Sequence, residues 1–201
     1  MPASCLAPTS SPHARDRLLE AATTLFALHG YQAVSLRDLA AHLGLQAGSL
    51  YHHIESKQGL LFELIESSLT DLLYDTRRCL KGVEAHDERL KCFVQAFVTY
   101  SQAYPDRLVL VTREMINLKD DQRAHIEQLR TAYSGFLRDI VAAECGLSPG
   151  RSGEKAASIA HAVLGMLCGQ AHWRRPGDSQ ESLASLLATY ALGIVRTGAA
   201  A

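Results

Sequence analysis

Apolar residues recur at three- and four-residue steps along most of this chain, the pattern of helices that bury one face. In the first such stretch, from Ala14, they are Leu18, Ala21, Ala22, Leu25, Phe26 and Leu28, and Gly30 follows as a C-terminal cap. Ser35-Leu36-Arg37-Asp38 has the S-x-x-D form of a capping box, so Ser35 is expected to cap a second helix carrying Leu36, Leu39, Ala40 and Leu43, which Gly44 ends. A third, short helix is predicted over Gln46–His53, with Leu45, Leu50 and Ile54 as its inward face. Ser56 caps a fourth that starts at Lys57 and carries Leu60, Leu61, Leu64, Ile65, Leu69, Leu72 and Leu73.

Beyond Cys79 the same periodicity predicts helices over Asp87–Ala103, Pro105–Leu118, Asp121–Cys145, Gly153–Trp173 and Ser179–Arg196. Breaks fall at Tyr104-Pro105, Leu147-Ser148-Pro149-Gly150 and Arg175-Pro176-Gly177-Asp178. No segment alternates like a strand, so the expected fold class is all-α. The expected organisation is a disordered arm over residues 1–13, a head over 14–57 and a helical body over 58–201. The helix starting at Lys57 is shared by head and body.

Composition changes this picture little. A chain of 201 residues, 47% hydrophobic and 20% charged, has enough apolar material for one or two small domains. A formal net charge of -1 gives no whole-chain electrostatic sign of a nucleic-acid or membrane partner, so any basic surface has to be local. The five cysteines, Cys5, Cys79, Cys92, Cys145 and Cys168, are far apart and form no C-x-x-C pair. They read as small apolar core residues in a reducing cytoplasm, with neither zinc nor a redox dithiol indicated and no cofactor expected. The N-terminal residues lack the basic start and apolar run of an export signal. Ala156–Trp173, read as the most apolar stretch, is interrupted by Ser158, His161, Gly165, Gly169 and Gln170, which suits a buried helix better than a membrane span.

The chemistry concentrates between Leu36 and His53. Two short helices joined by a glycine turn have the outline of a helix-turn-helix, whose second helix enters the major groove of DNA. Gly48 and Ser49 keep that helix slim, Gln46 has the groups to read a base edge, and Tyr51, His52 and His53 have the length to reach phosphates or bases. Adjacent histidines diverge by about 100° around a helix and are poorly placed to share a metal, unlike an i, i+4 pair. Ser49 as a nucleophile lacks the G-x-S-x-G setting and a pocket that excludes water. A helical hydrolase, or a small-molecule binding protein without DNA binding, is the alternative reading.

From Leu25-Phe26-Ala27-Leu28-His29-Gly30-Tyr31, through Val34–Ala40 and Leu43–Ile54, to Ser56-Lys57 and Leu60-Leu61, the sequence resembles the TetR family of bacterial transcriptional regulators. That resemblance implies phosphate contacts from Ser35, Arg37 and Lys57, base contacts from Gln46, Ala47, Gly48, Ser49 and His52, and a backbone grip from Tyr51 and His53. It also implies a palindromic double-stranded operator, a small-molecule effector and a homodimer. The cations of residues 1–57 are only Arg15, Arg17, Arg37 and Lys57, matched by Asp16, Glu20, Asp38 and Glu55. Affinity for DNA therefore has to rest on dimerisation and helix-end amides more than on net charge.

For the body, an aromatic stripe at Phe93, Phe97, Tyr100 and Tyr104, and another at Tyr133, Phe136, Leu137 and Ile140, read as core or as ligand wall. Arg113, Glu114 and His161 stand among apolar neighbours, where a buried polar group needs a partner. Phe97, Tyr100, Arg113, Tyr133, Phe136 and His161 are accordingly the candidate ligand-binding residues. The last two helices, 153–173 and 179–196, are the expected homodimer elements. Tyr104-Pro105, Arg113-Glu114, Arg130-Thr131-Ala132-Tyr133 and His172–Gly177 also resemble the subset of this family that senses acyl-CoA thioesters. This second likeness implies a long, partly apolar, anionic ligand, with Arg113 or Arg174 and Arg175 as phosphate partners.

Overall fold

A computed structural model describes residues 12–147, 151–173 and 180–200, and every regular element among them is helical. The order is α1 (Pro12–His29), α2 (Leu36–Leu43), α3 (Ala47–Leu50), α4 (Lys57–Leu80), α5 (His86–Ala103), α6 (Pro105–Arg113), a 3₁₀ turn (Glu114–Asn117), α7 (Asp120–Glu144), α8 (Arg151–Trp173) and α9 (Gln180–Ala200). α1 begins at Pro12, so the expected arm over 1–13 overlaps it by two residues, and residues 1–11 lie outside the described ones. Proline suits a first helical position because the N–H it lacks has no partner there.

The head is defined by its helix ends. The Asp38 N–H donates to Ser35 Oγ at 3.2 Å while the Ser35 N–H donates to Asp38 Oδ2 at 2.8 Å, the reciprocal capping box that the sequence predicts. Gly44 closes α2 in the left-handed region at φ 68°, a conformation that costs a side-chain-bearing residue about 1–2 kcal/mol. The Gly59 N–H donates to Ser56 Oγ at 2.9 Å and so starts α4. Beneath these caps Leu18, Phe26, Leu39, Leu50, Leu61 and Ile65 are fully or almost fully buried in one core. Two inward assignments fail: Leu28 is 71% and Leu45 42% exposed. Leu28 falls in the last turn of α1. Leu45 is turned away by the bend after Gly44, where its N–H reaches back to the Ala40 carbonyl.

α4 runs through both halves of the molecule. Leu60, Leu61, Leu64, Ile65 and Leu69 belong to the head's core, together with Leu110, Leu118 and Ile126 from α6 to α7. Leu72 and Leu80 belong to a second core built by α5, α7, α8 and α9 around Phe93, Phe97, Leu137, Val163 and Ala191. Within it α8 and α9 approach so closely that a Cβ on Gly198 would lie 2.7 Å from Ile159 Cγ1. The expected helix Pro105–Leu118 is interrupted at Arg113. The chain there tightens into a 3₁₀ turn, with the Leu118 N–H on the Met115 carbonyl and the Asn117 amide on Glu114. Among the described residues α9, rather than α8, carries the stretch long and apolar enough to cross a membrane, Glu181–Ala200. Its Leu183, Ala184, Leu187, Ala188, Ala191 and Val195 face is nonetheless packed into the second core.

Candidate nucleic-acid interface and effector cavity

At the outer end of the head, Ser35, Arg37, Gln46, Gly48, Tyr51 and His52 are exposed, while Ser49, His53 and Lys57 are half-buried. The side chain of Ala47 lies outside the described ones. The expected helix Gln46–His53 is shorter than its prediction: α3 covers Ala47–Leu50, and Tyr51–His53 continue as a turn. Hydrogen bonds from the His52 N–H to the Ser49 carbonyl and from the His53 N–H to the Leu50 carbonyl tighten this end to three-residue steps. Gly48 and Ser49 favour helix weakly, and Gln46 offers no side-chain cap. Leu50 and Ile54, both buried, anchor the segment from below, so its polar residues stand on a fixed base.

Two candidate phosphate ligands are already engaged. The Ser35 hydroxyl donates to Asp38 Oδ2 at 2.7 Å, and the hydrogen bonds from Ser35 hold the Asp38 carboxyl below its ordinary range. Lys57 Nζ lies 4.1 Å from the centre of the Tyr31 ring and 5.9 Å from that of Phe26. Burial lowers the Lys57 ammonium's pKa, while Asp38 and Glu114 pull it upward. Tyr31 in turn donates to Gln58 Oε1 at 3.1 Å, and Gln58 Nε2 donates to the Asn117 carbonyl and to Gln122 Oε1, both at 2.9 Å. Gln32 Nε2 donates to Asn117 Oδ1 at 2.6 Å. The head is thus wired to the 3₁₀ turn and to the start of α7.

In the body, a cavity of about 510 Å³ opens between α4, α5, α6, α7 and α8. Its apolar wall includes Leu69, Leu72, Phe97, Leu108, Val111, Met115 and Leu164, and its polar groups include Thr112, Glu127, Arg130, Thr131, Tyr133, Ser134, His161 and Cys168. That volume falls within the range of small-molecule sites. Tyr133 Oη and Thr76 Oγ1 are buried beside one another and neither completes a hydrogen bond within the protein; burial raises the Tyr133 hydroxyl pKa. A buried hydroxyl left in this way costs about 1–3 kcal/mol.

Of the six expected ligand residues, the cavity brings together Phe97, Tyr133 and His161. His161 is exposed at the cavity wall rather than enclosed by the apolar neighbours of its sequence. Tyr100 is buried behind the wall and donates to the Ser68 carbonyl at 2.8 Å. Phe136 faces another cleft, with Arg77 5.7 Å from its ring centre. Arg113 is exposed and does not line the cavity; its neighbour Glu114 is the buried member of the pair, accepting from Asn117 Nδ2 at 2.7 Å. One residue along a helix is a rotation of about 100°, enough to exchange inside for outside. The cation that does line the cavity is Arg130, which donates to Glu127 Oε1 at 2.8 Å. Arg174 and Arg175 lie outside the described residues. Cys79 and Cys92, distant in sequence, also come together: the Cys79 thiol donates weakly to the Cys92 carbonyl at 3.3 Å, and burial helps push it up to about 11. That thiol stays protonated at neutral pH.

A helix-turn-helix head on a helical body with an internal cavity is the architecture of a one-component DNA-binding regulator. Residues 18–64 match the N-terminal domain of the tetR family of bacterial regulatory proteins, and residues 83–195 match the tetracyclin repressor-like C-terminal domain. The chain belongs to the TetR family. It is similar to the transcriptional repressor KstR2 of Rhodococcus jostii, at 28% identity over 137 residues, 68% of this chain and 66% of that protein. The match thus spans just under two thirds of that relative. The solved TetR-family regulator PfmR of Thermus thermophilus shares 31% identity and a TM-score of 0.75, over 90% of this chain and 98% of that one. AibR, solved in complex with isovaleryl coenzyme A and operator DNA, shares the fold with a TM-score of 0.75 at 22% identity, over 88% of this chain and 96% of that one.

Proposed function

We propose that the chain is a homodimeric cytoplasmic repressor that binds palindromic duplex DNA through residues 35–57 and releases it when a coenzyme A thioester fills the body cavity. One observation carries the coupling. The 3₁₀ turn Glu114–Asn117 puts Met115 on the cavity wall and Asn117 under the head, on Gln32 and Gln58. A ligand that displaces Met115 acts directly on the bonds that hold the head. α4 is the second route, since it begins at Lys57 in the interface and lends Leu69 and Leu72 to the cavity.

The ligand class follows from the walls. Leu69, Leu72, Phe97, Leu108 and Leu164 suit an acyl chain; the Tyr133 hydroxyl suits a thioester carbonyl as acceptor; Arg130 and His161 suit an anionic remainder. AibR, with its isovaleryl coenzyme A, supports the same class. On α9 the exposed Leu186 and Tyr190 give a second protomer an apolar face, and α8 beside it completes a four-helix contact. Paired heads then meet half-sites about 34–36 Å apart, or a small multiple of that.

Selection from random duplexes is expected to return one palindromic motif. Gln46→Ala is expected to relax base preference at one position of each half-site, and Tyr51→Ala to weaken all sequences alike. In operator titrations across acyl-CoA chain lengths, at least one thioester but not free CoA lowers affinity. A hundredfold loss requires about 2.8 kcal/mol of preference for the released form, at 1.4 kcal/mol per factor of ten. Gly165→Phe, built into open space on the wall, and Arg130→Ala blunt that response and leave ligand-free DNA binding intact. Absence of any enriched motif sinks the repressor. Equal affinity across the whole thioester series removes the thioester and spares the repressor.

A further inference from the structure

At the far end of α4 from the head, roughly 36 Å away at 1.5 Å per residue, a second cleft of about 590 Å³ is lined by Tyr74, Arg77, Arg78, Lys81, Arg89 and Phe136, with Leu80 at its floor. Four of these seven residues are cations and none is an acid, in a chain whose formal net charge is -1. The nearby carboxylates Asp87 and Glu88 are held by Lys91 at 3.4 and 2.8 Å, and Asp75 and Glu84 are not among the lining residues. Cations in a last helical turn ordinarily answer the helix dipole, but that dipole amounts to about half a negative charge. Against four positive charges it leaves most of the field unanswered.

We infer that this cleft binds a nucleoside diphosphate or another nucleotide-like anion, whose phosphates lie among the cations and whose base lies against the aromatic rings. Arg89 is positioned for this by its donation to the Val83 carbonyl at 2.8 Å, which fixes the guanidinium at the edge of the α4–α5 turn. Guanidinium groups match phosphate oxygens two bonds at a time, and Lys81 adds a point charge. Tyr74 is 66% exposed, so its ring is open to a ligand, and Phe136 already carries Arg77 5.7 Å from its centre. A planar base set on these rings is stabilised by stacking, to which the adjoining arginine adds. The site joins α4, α5 and α7, three helices of the second core, and shares no lining residue with the effector cavity.

Calorimetric titration of the full-length protein with ADP, inorganic pyrophosphate and adenosine tests it. The expected result is saturable ADP binding at least tenfold tighter than either fragment, weakening as salt rises. It falls at least tenfold in Arg78→Glu/Lys81→Glu and severalfold in Phe136→Leu, while operator binding without ligand is unchanged. These exposed charges lie outside both cores, and a circular dichroism melt of each variant checks folding. Equal binding of pyrophosphate and ADP overturns the nucleotide assignment. No saturable binding by the wild type, or undiminished binding by the folded charge-reversal variant, overturns the site altogether.

Discussion

In the head, both ends of α2 and the start of α4 are fixed by something within three residues of them: Ser35 and Asp38 exchange two hydrogen bonds, Gly44 turns α2 off, and Ser56 accepts from Gly59. In the body, Ala85 before α5 and Tyr104 before α6 supply no side-chain cap, and what holds those helices is burial of Phe93, Phe97, Tyr100 and Leu108. Short-range devices of the first kind contribute about 0.5–2 kcal/mol each and act whatever the rest of the molecule does. Packing of the second kind depends on every neighbour. A head built in this way presents the same surface whether or not the body has moved, and a body built in this way has room to rearrange around a ligand.

The largest effects break the comparison at its joint. Phe26→Ala in the first core and Phe93→Ala in the second each remove a fully buried ring and are expected to cost about 3–5 kcal/mol. Because α4 lends Leu61 and Ile65 to one core and Leu72 and Leu80 to the other, the two losses should appear in a single denaturation transition seen by circular dichroism. Two separate transitions would show that α4 does not bind the halves into one cooperative unit. In conditions where both variants remain folded, Phe26→Ala is expected to lose operator binding first and Phe93→Ala to lose effector binding first.

A smaller effect sharpens it. Ser35→Ala is expected to cost about 0.5–2 kcal/mol, read as a lower melting temperature with effector binding retained. The pH dependence has a definite sign. Hydrogen bonds from Ser35 hold the folded Asp38 carboxyl below its ordinary value, so its contribution is fully present above about pH 4 and disappears as pH falls through the folded value. The melting-temperature gap between wild type and Asp38→Asn is therefore expected at pH 6–7 and should narrow as pH falls through the folded value. A gap that does not change with pH would mean that Asp38 acts by shape and not by charge.

The same contrast explains what the sequence made legible. Ser35-x-x-Asp38, Gly44 and Ser56 carry their partners beside them, so their geometry is readable from the chain alone, and the family resemblance rests on those very residues. The cavity draws on five helices, and its members follow from which way each helix turns. Arg113 and Glu114 are adjacent, and only packing decides that Glu114 goes inside. Arg130 stands in a recognisable stretch, yet its place on the wall depends on the angle of α7 to α8. Arg113-Glu114-Met115-Ile116 has helical residue types throughout. The bend there comes from Asn117, drawn to Glu114, Gln32 and Gln58, two of which lie more than fifty residues away.

That bend is also where the smallest and most informative effect is expected. Asn117 accepts from Gln32 in the head at 2.6 Å and donates to Glu114 at 2.7 Å, and Met115, two residues before Asn117, reaches the cavity. Neither Asn117 nor Gln32 lines the cavity, and neither is among the residues proposed to touch DNA. Gln32→Ala, at an exposed position, is therefore expected to leave operator affinity without ligand, and ligand affinity without operator, within about twofold. What should change is the effect of one on the other. Mutations along such connections alter coupling by about 0.5–2 kcal/mol, and removing one of two routes is placed at the low end, roughly two- to threefold in the ligand-induced loss of affinity. Because coupling between two binding sites is reciprocal, the same factor must appear when ligand affinity is measured with and without operator. Equal coupling in Gln32→Ala and wild type would assign transmission to α4 together with the bond from its Gln58 to the Asn117 carbonyl. A loss of DNA binding in the ligand-free variant would make the Gln32–Asn117 bond part of the head's own framework.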